Sequence, residues 1–147
     1  MQEVKIRPAK DDDFKAIEDM IVRWLKWKIE RKRTFHDVLR DSDHLVLVAE
    51  VEGQLVGLLH LLFYLDVLHG GINSHILLFF VKGEYQKRRI GKRLLDEAVR
   101  QAVERGVVEM HVDTIYEDAA KFYRKYGFKD DGVMLELQLK NVEKAKR

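Results

Sequence analysis

Three apolar runs in the middle of the chain constrain its fold more than any other feature. Leu45–Val51 and Leu55–Leu65 have the composition of strands and are joined at Glu52-Gly53, which predicts an antiparallel hairpin. The second run is apolar almost throughout, and so is "ILLFFV" at the end of a third predicted strand, Ile72–Val81. Because strands of this kind are covered on both faces, the sequence predicts a sheet that is buried on both sides.

The rest of the chain adds helices and further strands around these runs. Apolar residues recur at helical spacing, and Gly106 and Gly127 end two of the predicted helices. Besides the three runs, the predicted elements are strands at Val4–Arg7, Val107–Thr114 and Val133–Leu139, and helices at Phe14–Leu25, Phe35–Arg40, Ile90–Val103 and Glu117–Tyr126. We expect one mixed α/β domain over residues 1–147, with its core at 3–139 and a charged, frayed tail at 140–147.

Composition narrows the classes of function. The 27 basic residues are nearly balanced by 25 acidic ones, for a net charge of +2, so a nucleic-acid partner has to be argued from local clusters. The absence of cysteine excludes disulfides, thiolate metal sites and a cysteine nucleophile. No apolar run approaches the ~20 residues that cross a bilayer. We expect a cytoplasmic protein without a membrane partner.

The stretch "YQKRRIGKRLL", residues 85–95, joins a predicted strand to a predicted helix. Such a junction directs unpaired backbone N–H groups and the positive end of a helix dipole at one spot, which favours an anion. Gly91 would let a ligand approach the first helical turn. Further donors come from Gln86, Lys87, Arg88, Arg89, Lys92 and Arg93. A pyrophosphate fits this chemistry, while an ordinary charged helix start and a nucleic-acid patch stay open as alternatives.

Two motifs carry a resemblance to a known family. "VKGEYQKRRIG" resembles the coenzyme A loop of the GCN5-related N-acetyltransferases (GNAT), Gln/Arg-x-x-Gly-x-Gly/Ala, with Gln86 first, Gly91 last and Arg89 in place of the first glycine. "AAKFYRKYGF", from Ala119 to Phe128, is similar to the family's Ala-x-x-Leu/Phe-Tyr-x-Lys-x-Gly-Phe segment. The resemblance covers roughly residues 3–139 and implies a single-domain GNAT-like fold, with a mixed sheet of about six to seven strands flanked by about four helices.

The resemblance implies transfer of an acetyl group from acetyl-coenzyme A directly to a primary amine. It implies that the loop from Gln86 through Lys87, Arg88, Arg89, Ile90 and Gly91 binds the pyrophosphate, with Lys92 as a further contact. Arg89 is compatible with this role if its φ is negative. The backbone of Phe79 and Val81 would bind the pantetheine arm. Tyr123 would protonate the leaving thiolate, although its spacing alone favours a core tyrosine.

The base that deprotonates the amine is less defined. Leu77 and Leu78 stand where many relatives have a carboxylate, but His75 lies on the same predicted strand, where relatives that acetylate arylalkylamines have a histidine. A lone histidine in a strand is more often a packed core residue, and that reading stays open. Weaker candidates are Glu84, Asp66, His60, His69, His111 and water.

The acceptor pocket is expected between the first two helices and the Asp66–Gly71 loop. Trp24 lies on the stripe predicted to be buried, and Trp27 lies off it as a candidate pocket wall. Tyr116 stands where the family often has an asparagine that touches the cofactor. No metal is expected, since the histidines share no ligand spacing.

The alternative to an enzyme is a non-catalytic module that binds coenzyme A, or, as the weaker form, nucleic acid. The identity of the amine stays open among polyamines, arylalkylamines, amino acids, antibiotics and protein amines. We also expect a homodimer, because proteins of the resembled family often pair.

Overall fold

A computed structural model of the chain describes residues 3–26 and 29–140. The sheet consists of β1 (Val4–Pro8), β2 (His44–Val51), β3 (Gln54–Asp66), β4 (Gly71–Val81) and β5 (Met110–Val112). The helices are α1 (Phe14–Leu25), α2 (Lys32–Leu39), α3 (Ile90–Glu104) and α4 (Glu117–Tyr126), with short 3-10 turns at Asp11–Asp13 and Gly83–Tyr85. The strand order is β1-β2-β3-β4-β5; the first four are antiparallel, and β5 is parallel to β4.

The predicted hairpin and its burial are confirmed. β2 and β3 turn at Glu52 and Gly53, both at positive φ (51° and 77°), as a tight turn between twisted strands requires. One face of the sheet packs on α3 and the other on α1 and α2. Two-sided burial of β3 explains why its sequence is apolar almost throughout.

The expected sheet of six to seven strands is wrong, because the sheet of the described residues has five. Residues Val133–Leu139, predicted as the last strand, form no ladder with any described strand. The strand predicted at Val107–Thr114 is limited to Met110–Val112, and α2 begins at Lys32 rather than Phe35. Alternating apolar residues give a segment one face to bury, but a strand also needs a neighbouring backbone. The predicted tail lies, from residue 141 onward, outside the described residues.

A histidine pair spans β2 and β3 on the face that carries α1 and α2. His44 Nδ1 and His60 Nε2 are hydrogen-bonded at 2.8 Å. Burial, and secondarily the charge of His44, lowers the pKa of His60 to about 4. His60 is therefore neutral in the folded protein at neutral pH.

This shift predicts how stability changes with pH. Because the folded-state pKa of His60 lies below its ordinary value of 6.5, the unfolded chain binds more protons between pH 6.5 and pH 4. The free energy of unfolding should fall as the pH drops through that window. Urea unfolding at pH 7.5 and pH 5 should show that His60→Gln loses about 1–2 kcal/mol less than the wild type. An equal loss in both proteins would assign the pH dependence to other groups.

Candidate active site

The site is organised by a short pairing between β4 and β5. The two strands pair only from Ser74 to Ile76 on β4 and from Met110 to Val112 on β5. Leu77 then forms a bulge, since Leu78 pairs with His60 and Ile76 with Leu61 across β3. Beyond the bulge, the end of β4 has β3 on one side and no described strand on the other.

Phe79 and Val81 lie in this one-sided stretch, at the positions predicted to bind an extended arm. A strand edge of this kind offers backbone donors and acceptors to an added extended chain. The carbonyl of Val81 already accepts a hydrogen bond from Gln86 Nε2 at 3.0 Å. The pantetheine contact itself stays a prediction.

The predicted anion loop connects β4 to α3. The 3-10 turn at Gly83–Tyr85 is followed by a turn, and α3 begins at Ile90 without a side-chain cap. The first helical hydrogen bond runs from Arg93 N to Arg89 O at 3.0 Å. The backbone N–H groups of the first turn are therefore directed at the loop, as in known anion sites.

Two loop residues adopt left-handed conformations. Lys87 has φ of 68° and Arg89 has φ of 63°. The condition of negative φ at Arg89 is not met, because the turn into α3 needs the conformation that glycine adopts most easily. This requirement accounts for the glycine that the resembled motif usually has at the position of Arg89.

The side chains of the loop are held by neighbours. The Arg88 guanidinium lies 5.0 Å from the centre of the Tyr85 ring, and Lys92 Nζ pairs with Asp96 Oδ2 at 2.8 Å. Ile90 is buried, so that only its backbone can serve a ligand. A Cβ at Gly91 would lie 3.6–3.7 Å from the rings of Phe122 and Phe79, an ordinary contact. The need for glycine at that position to admit a ligand therefore stays a prediction.

Tyr123 lies at the centre of an aromatic cluster. Its ring centre is 6.1 Å from that of Phe79, 5.6 Å from that of Phe122 and 5.5 Å from that of Phe128. Burial, and secondarily the charge of Asp113, raises the pKa of Tyr123 to about 12. The phenol is thus a core side chain and, at neutral pH, a protonated donor.

His75 lies at the base of an open groove instead of in the core. Its Nε2 is hydrogen-bonded to Asp113 Oδ1 at 2.7 Å, and its side chain is 27% exposed. The reading of His75 as a packed core residue is therefore wrong. The groove has a volume of about 500 Å³ and is lined by Leu62, Tyr64, His75, Leu77, Asp113 and Met134.

Asp113 was missed by the sequence analysis. Asp113 directly follows β5, and His75 pairs with His111 on that strand. Because side chains alternate along a strand, Asp113, two residues beyond His111, lies on the same face of the sheet as His75. The sequence signal that could have identified Asp113 as a site residue is its position, one residue beyond the short strand β5. Through its hydrogen bond to His75 and its effect on Tyr123, Asp113 connects the two predicted catalytic residues.

The weaker base candidates have other partners. Asp66 is hydrogen-bonded to His69 and Asn73 in the β3–β4 turn, and His111 Nε2 lies 3.4 Å from Asp131. His60 is bonded to His44, and Glu84 lies in the 3-10 turn before the anion loop.

Acidic side chains border the groove. Burial, and then the charges of Asp66 and Glu109, raises the pKa of Tyr64, which lines the groove. Asp113 itself lines the groove, whereas Asp66 and Glu109 lie near Tyr64 and are both paired with His69.

Trp24 is 40% exposed, so its predicted burial is wrong. Its ring centre lies 6.0 Å from that of Phe80 on β4 and 6.3 Å from that of Tyr116. Trp24 is instead part of an aromatic surface at the one-sided end of β4. Trp27 lies outside the described residues.

Across residues 3–26 and 29–140, no group of three or more His, Cys, Asp or Glu side chains is arranged to hold a metal ion. None of the described helices is long and apolar enough to cross a membrane.

Comparison with known proteins decides the family. The model of the acetyltransferase (GNAT) family matches residues 11–128. The chain belongs to this family. It is an acetyl-transferring enzyme, which rules out the non-catalytic alternative, and its family uses acetyl-coenzyme A as co-substrate.

Individual relatives agree in sequence and in fold. A spermidine N(1)-acetyltransferase of Thermoplasma acidophilum is 26% identical over 117 residues, which cover 76% of this chain and 69% of that protein. A transcriptional regulator from Bacillus halodurans C-125 has a TM-score of 0.84 at 24% identity, over 93% of this chain and 100% of that one. A glucosamine-6-phosphate N-acetyltransferase from Arabidopsis thaliana has a TM-score of 0.82 at 17% identity, over 94% and 99%. At these identities the structural likeness shows a shared fold.

The conformation of Arg89 generates a stability prediction. Arg89→Gly and Arg89→Ala both remove the guanidinium, but only glycine adopts positive φ without a steric penalty. The free energy of unfolding of Arg89→Gly should exceed that of Arg89→Ala by about 0.5–1 kcal/mol, after allowance for the greater entropy of unfolded glycine. Urea unfolding of the two variants measures the difference. Equal stabilities would mean that the loop relaxes to negative φ.

Proposed function

We propose that this enzyme transfers the acetyl group of acetyl-coenzyme A directly to a primary amine of a small cationic molecule. The observation that carries the proposal is Asp113, which is hydrogen-bonded to His75, acts through its charge on the pKa of Tyr123, and lines the same groove as His75. A base for the amine and a protonated phenol for the leaving sulfur are what attack on a thioester by an amine requires.

The residues present fit coenzyme A. The amides at the start of α3 and the positive side chains of residues 87–89 suit its pyrophosphate. The one-sided stretch of β4 that contains Phe79 and Val81 suits the amides of its pantetheine arm. When bound, the cofactor supplies an activated acetyl group.

Proton movements are assigned to two side chains. His75 takes a proton from the attacking amine, and Asp113 holds its Nε2–H so that Nδ1 carries the lone pair. As the new C–N bond forms and the C–S bond breaks, Tyr123 gives its proton to the departing sulfur. The products are an amide and the free thiol of coenzyme A.

The groove supports a cationic acceptor. Its aliphatic lining from Leu62, Leu77 and Met134 suits a methylene chain, and the carboxylate of Asp113, with those of Asp66 and Glu109 near Tyr64, suits additional amino groups. The name of the Thermoplasma relative, a spermidine N(1)-acetyltransferase, agrees with such an acceptor. We further propose that the enzyme acts in the cytoplasm, in line with its lack of cysteine, and that it acts as a homodimer.

Thiol release from acetyl-coenzyme A tests the function, and the chain has no cysteine to contribute background. We expect kcat/KM to be highest for a linear polyamine among a panel that includes an arylalkylamine, an amino sugar and a peptide with a free N-terminus. Tyr123→Phe should lower kcat by ~10²–10⁴, because the phenol acts on charge that develops along the reaction path. Its Kd for acetyl-coenzyme A, by calorimetry, should stay within about threefold.

Tyr126→Phe is the matched control for this test. It removes a hydroxyl from the same helix, one that donates to Asp96 at 2.7 Å. Its kcat should match the wild type. Near wild-type kcat in Tyr123→Phe, with chemistry limiting turnover, would leave Tyr123 a core residue, and no thiol release with any amine would contradict the proposed reaction.

The histidine–aspartate pair generates a second catalytic prediction. In the wild type, log(kcat/KM) for the amine should rise with pH, and His75→Gln should weaken that rise. Asp113→Asn should retain the rise but lower kcat by about 10- to 100-fold, because the ring is no longer held by a carboxylate. His111→Gln, on the adjacent strand, is the control and should keep both. An unchanged profile in His75→Gln would assign the base to water or another residue.

A further inference from the structure

Three aromatic rings meet at the one-sided end of β4, on the sheet face that carries α1 and α2. Trp24 belongs to the last turn of α1, Phe80 to β4, and Tyr116 directly precedes α4. The ring centre of Trp24 lies 6.0 Å from that of Phe80 and 6.3 Å from that of Tyr116, with interplanar angles of 37° and 48°. Tilted rings at such separations attract one another. We call these three rings the aromatic bridge.

Backbone hydrogen bonds fix both outer members of the aromatic bridge. α1 ends directly after Trp24 and Leu25, because Lys26 is left-handed with φ of 55°. Tyr116 N donates to Thr114 Oγ1 at 3.1 Å, and Tyr116 O accepts the first helical hydrogen bond of α4 at 3.0 Å. A helix end and a helix start therefore hold the two rings from opposite sides.

The aromatic bridge crosses the gap that opens between β4 and β5. Pairing of the two strands ends at Ile76 and Val112. Tyr116 continues from β5, whereas Trp24 comes from the helix layer above the sheet, so the contact between their rings passes over the open edge of β4. Trp24 is 40% exposed and Tyr116 41%, so each ring has one side covered by a neighbour and another in contact with water.

His75 lies on the same face of β4 as the aromatic bridge. Across β3, His75 pairs with Leu62 and Phe80 pairs with Leu58. Leu58 and Leu62 are four residues apart on one strand, so their side chains and those of their partners point to the same face. The five residues from His75 to Phe80 span roughly 16 Å of strand, which leaves room for an acyl group and an amine between the histidine and the bridge.

We infer that the aromatic bridge is the end wall of the acceptor site and that it selects amines whose nitrogen is carried by an unbranched carbon. This inference rests on the proposed acetyl transfer. The amine that loses its proton to His75 attacks a thioester held along the open edge of β4, so its carbon–nitrogen bond lies between His75 and the bridge. Rings fixed at this distance admit a methylene group beside the nitrogen and exclude a further substituent on that carbon.

The selectivity has an expected size. One additional carbon that finds no room in an apolar pocket changes kcat/KM by about 10- to 200-fold. A straight-chain amine meets the bridge with its narrowest cross-section, whereas an amino sugar and a peptide N-terminus carry their nitrogen on a branched carbon. The bridge therefore separates these acceptor classes by shape, without any charged side chain.

A matched pair of diamines tests this inference. One is putrescine, and the other is its analogue with a methyl group on each carbon that bears nitrogen, so that charge and spacing are unchanged. The ratio of their kcat/KM values, from thiol release at saturating acetyl-coenzyme A, should favour putrescine by about 10- to 200-fold in the wild type. Trp24→Ala and Tyr116→Ala should each lower that ratio at least about fivefold, because either change opens the end wall. The intrinsic reactivity of the two amines cancels between variants.

Two further variants show whether the rings themselves select. Tyr116→Phe keeps the ring and should discriminate as the wild type does. Val22→Ala removes an exposed apolar side chain from the same end of α1, outside the bridge, and should also keep the wild-type ratio. Should Trp24→Ala lose its circular-dichroism signal, Tyr116→Ala carries the same test from outside the helix.

An unchanged ratio in folded Trp24→Ala and Tyr116→Ala would overturn the inference, and so would a wild type that acetylates both diamines equally well. In either case putrescine is still acetylated, so the bridge is rejected and the proposed reaction is retained. No thiol release with any amine would reject both.

Discussion

The three-residue pairing of β4 with β5 is the constraint on which the site depends. If the ladder continued, the end of β4 would be covered on both edges and would offer no backbone to a ligand. The bulge at Leu77 lies immediately after the last paired residue, Ile76, and it changes which side chains of β4 face each layer. The divergence of two parallel strands thereby places the anion loop and Tyr123 around one open edge.

Charge is separated along β4 although the chain as a whole is nearly balanced. The C-terminal end of the strand leads into the basic loop and the positive end of α3, which suit phosphates. The region around His75 carries Asp113 and, near Tyr64, Asp66 and Glu109. Basic and acidic side chains are thus concentrated toward opposite ends of one strand.

The two side chains predicted to be catalytic are held in different ways. Tyr123 is fixed by aromatic packing, and burial keeps its proton in place at neutral pH. His75 is partly exposed and is oriented by one carboxylate. Tyr123 therefore belongs to the hydrophobic core, whereas His75 belongs to the open groove.

The sequence by itself determined the elements that depend only on residues close together along the chain. The β2–β3 hairpin, the four helices and the strand–loop–helix around Gln86–Gly91 all follow from local turn chemistry and apolar spacing. Tertiary structure decided the rest. Arg89 is left-handed because the turn must meet α3, and Trp24 is exposed because α1 ends at the open side of β4. Asp113 reaches His75 only because β4 and β5 lie side by side in the folded sheet. Residues 133–139 have the pattern of a strand but no partner among the described residues, because a pattern specifies which face is buried and not which backbone pairs with it.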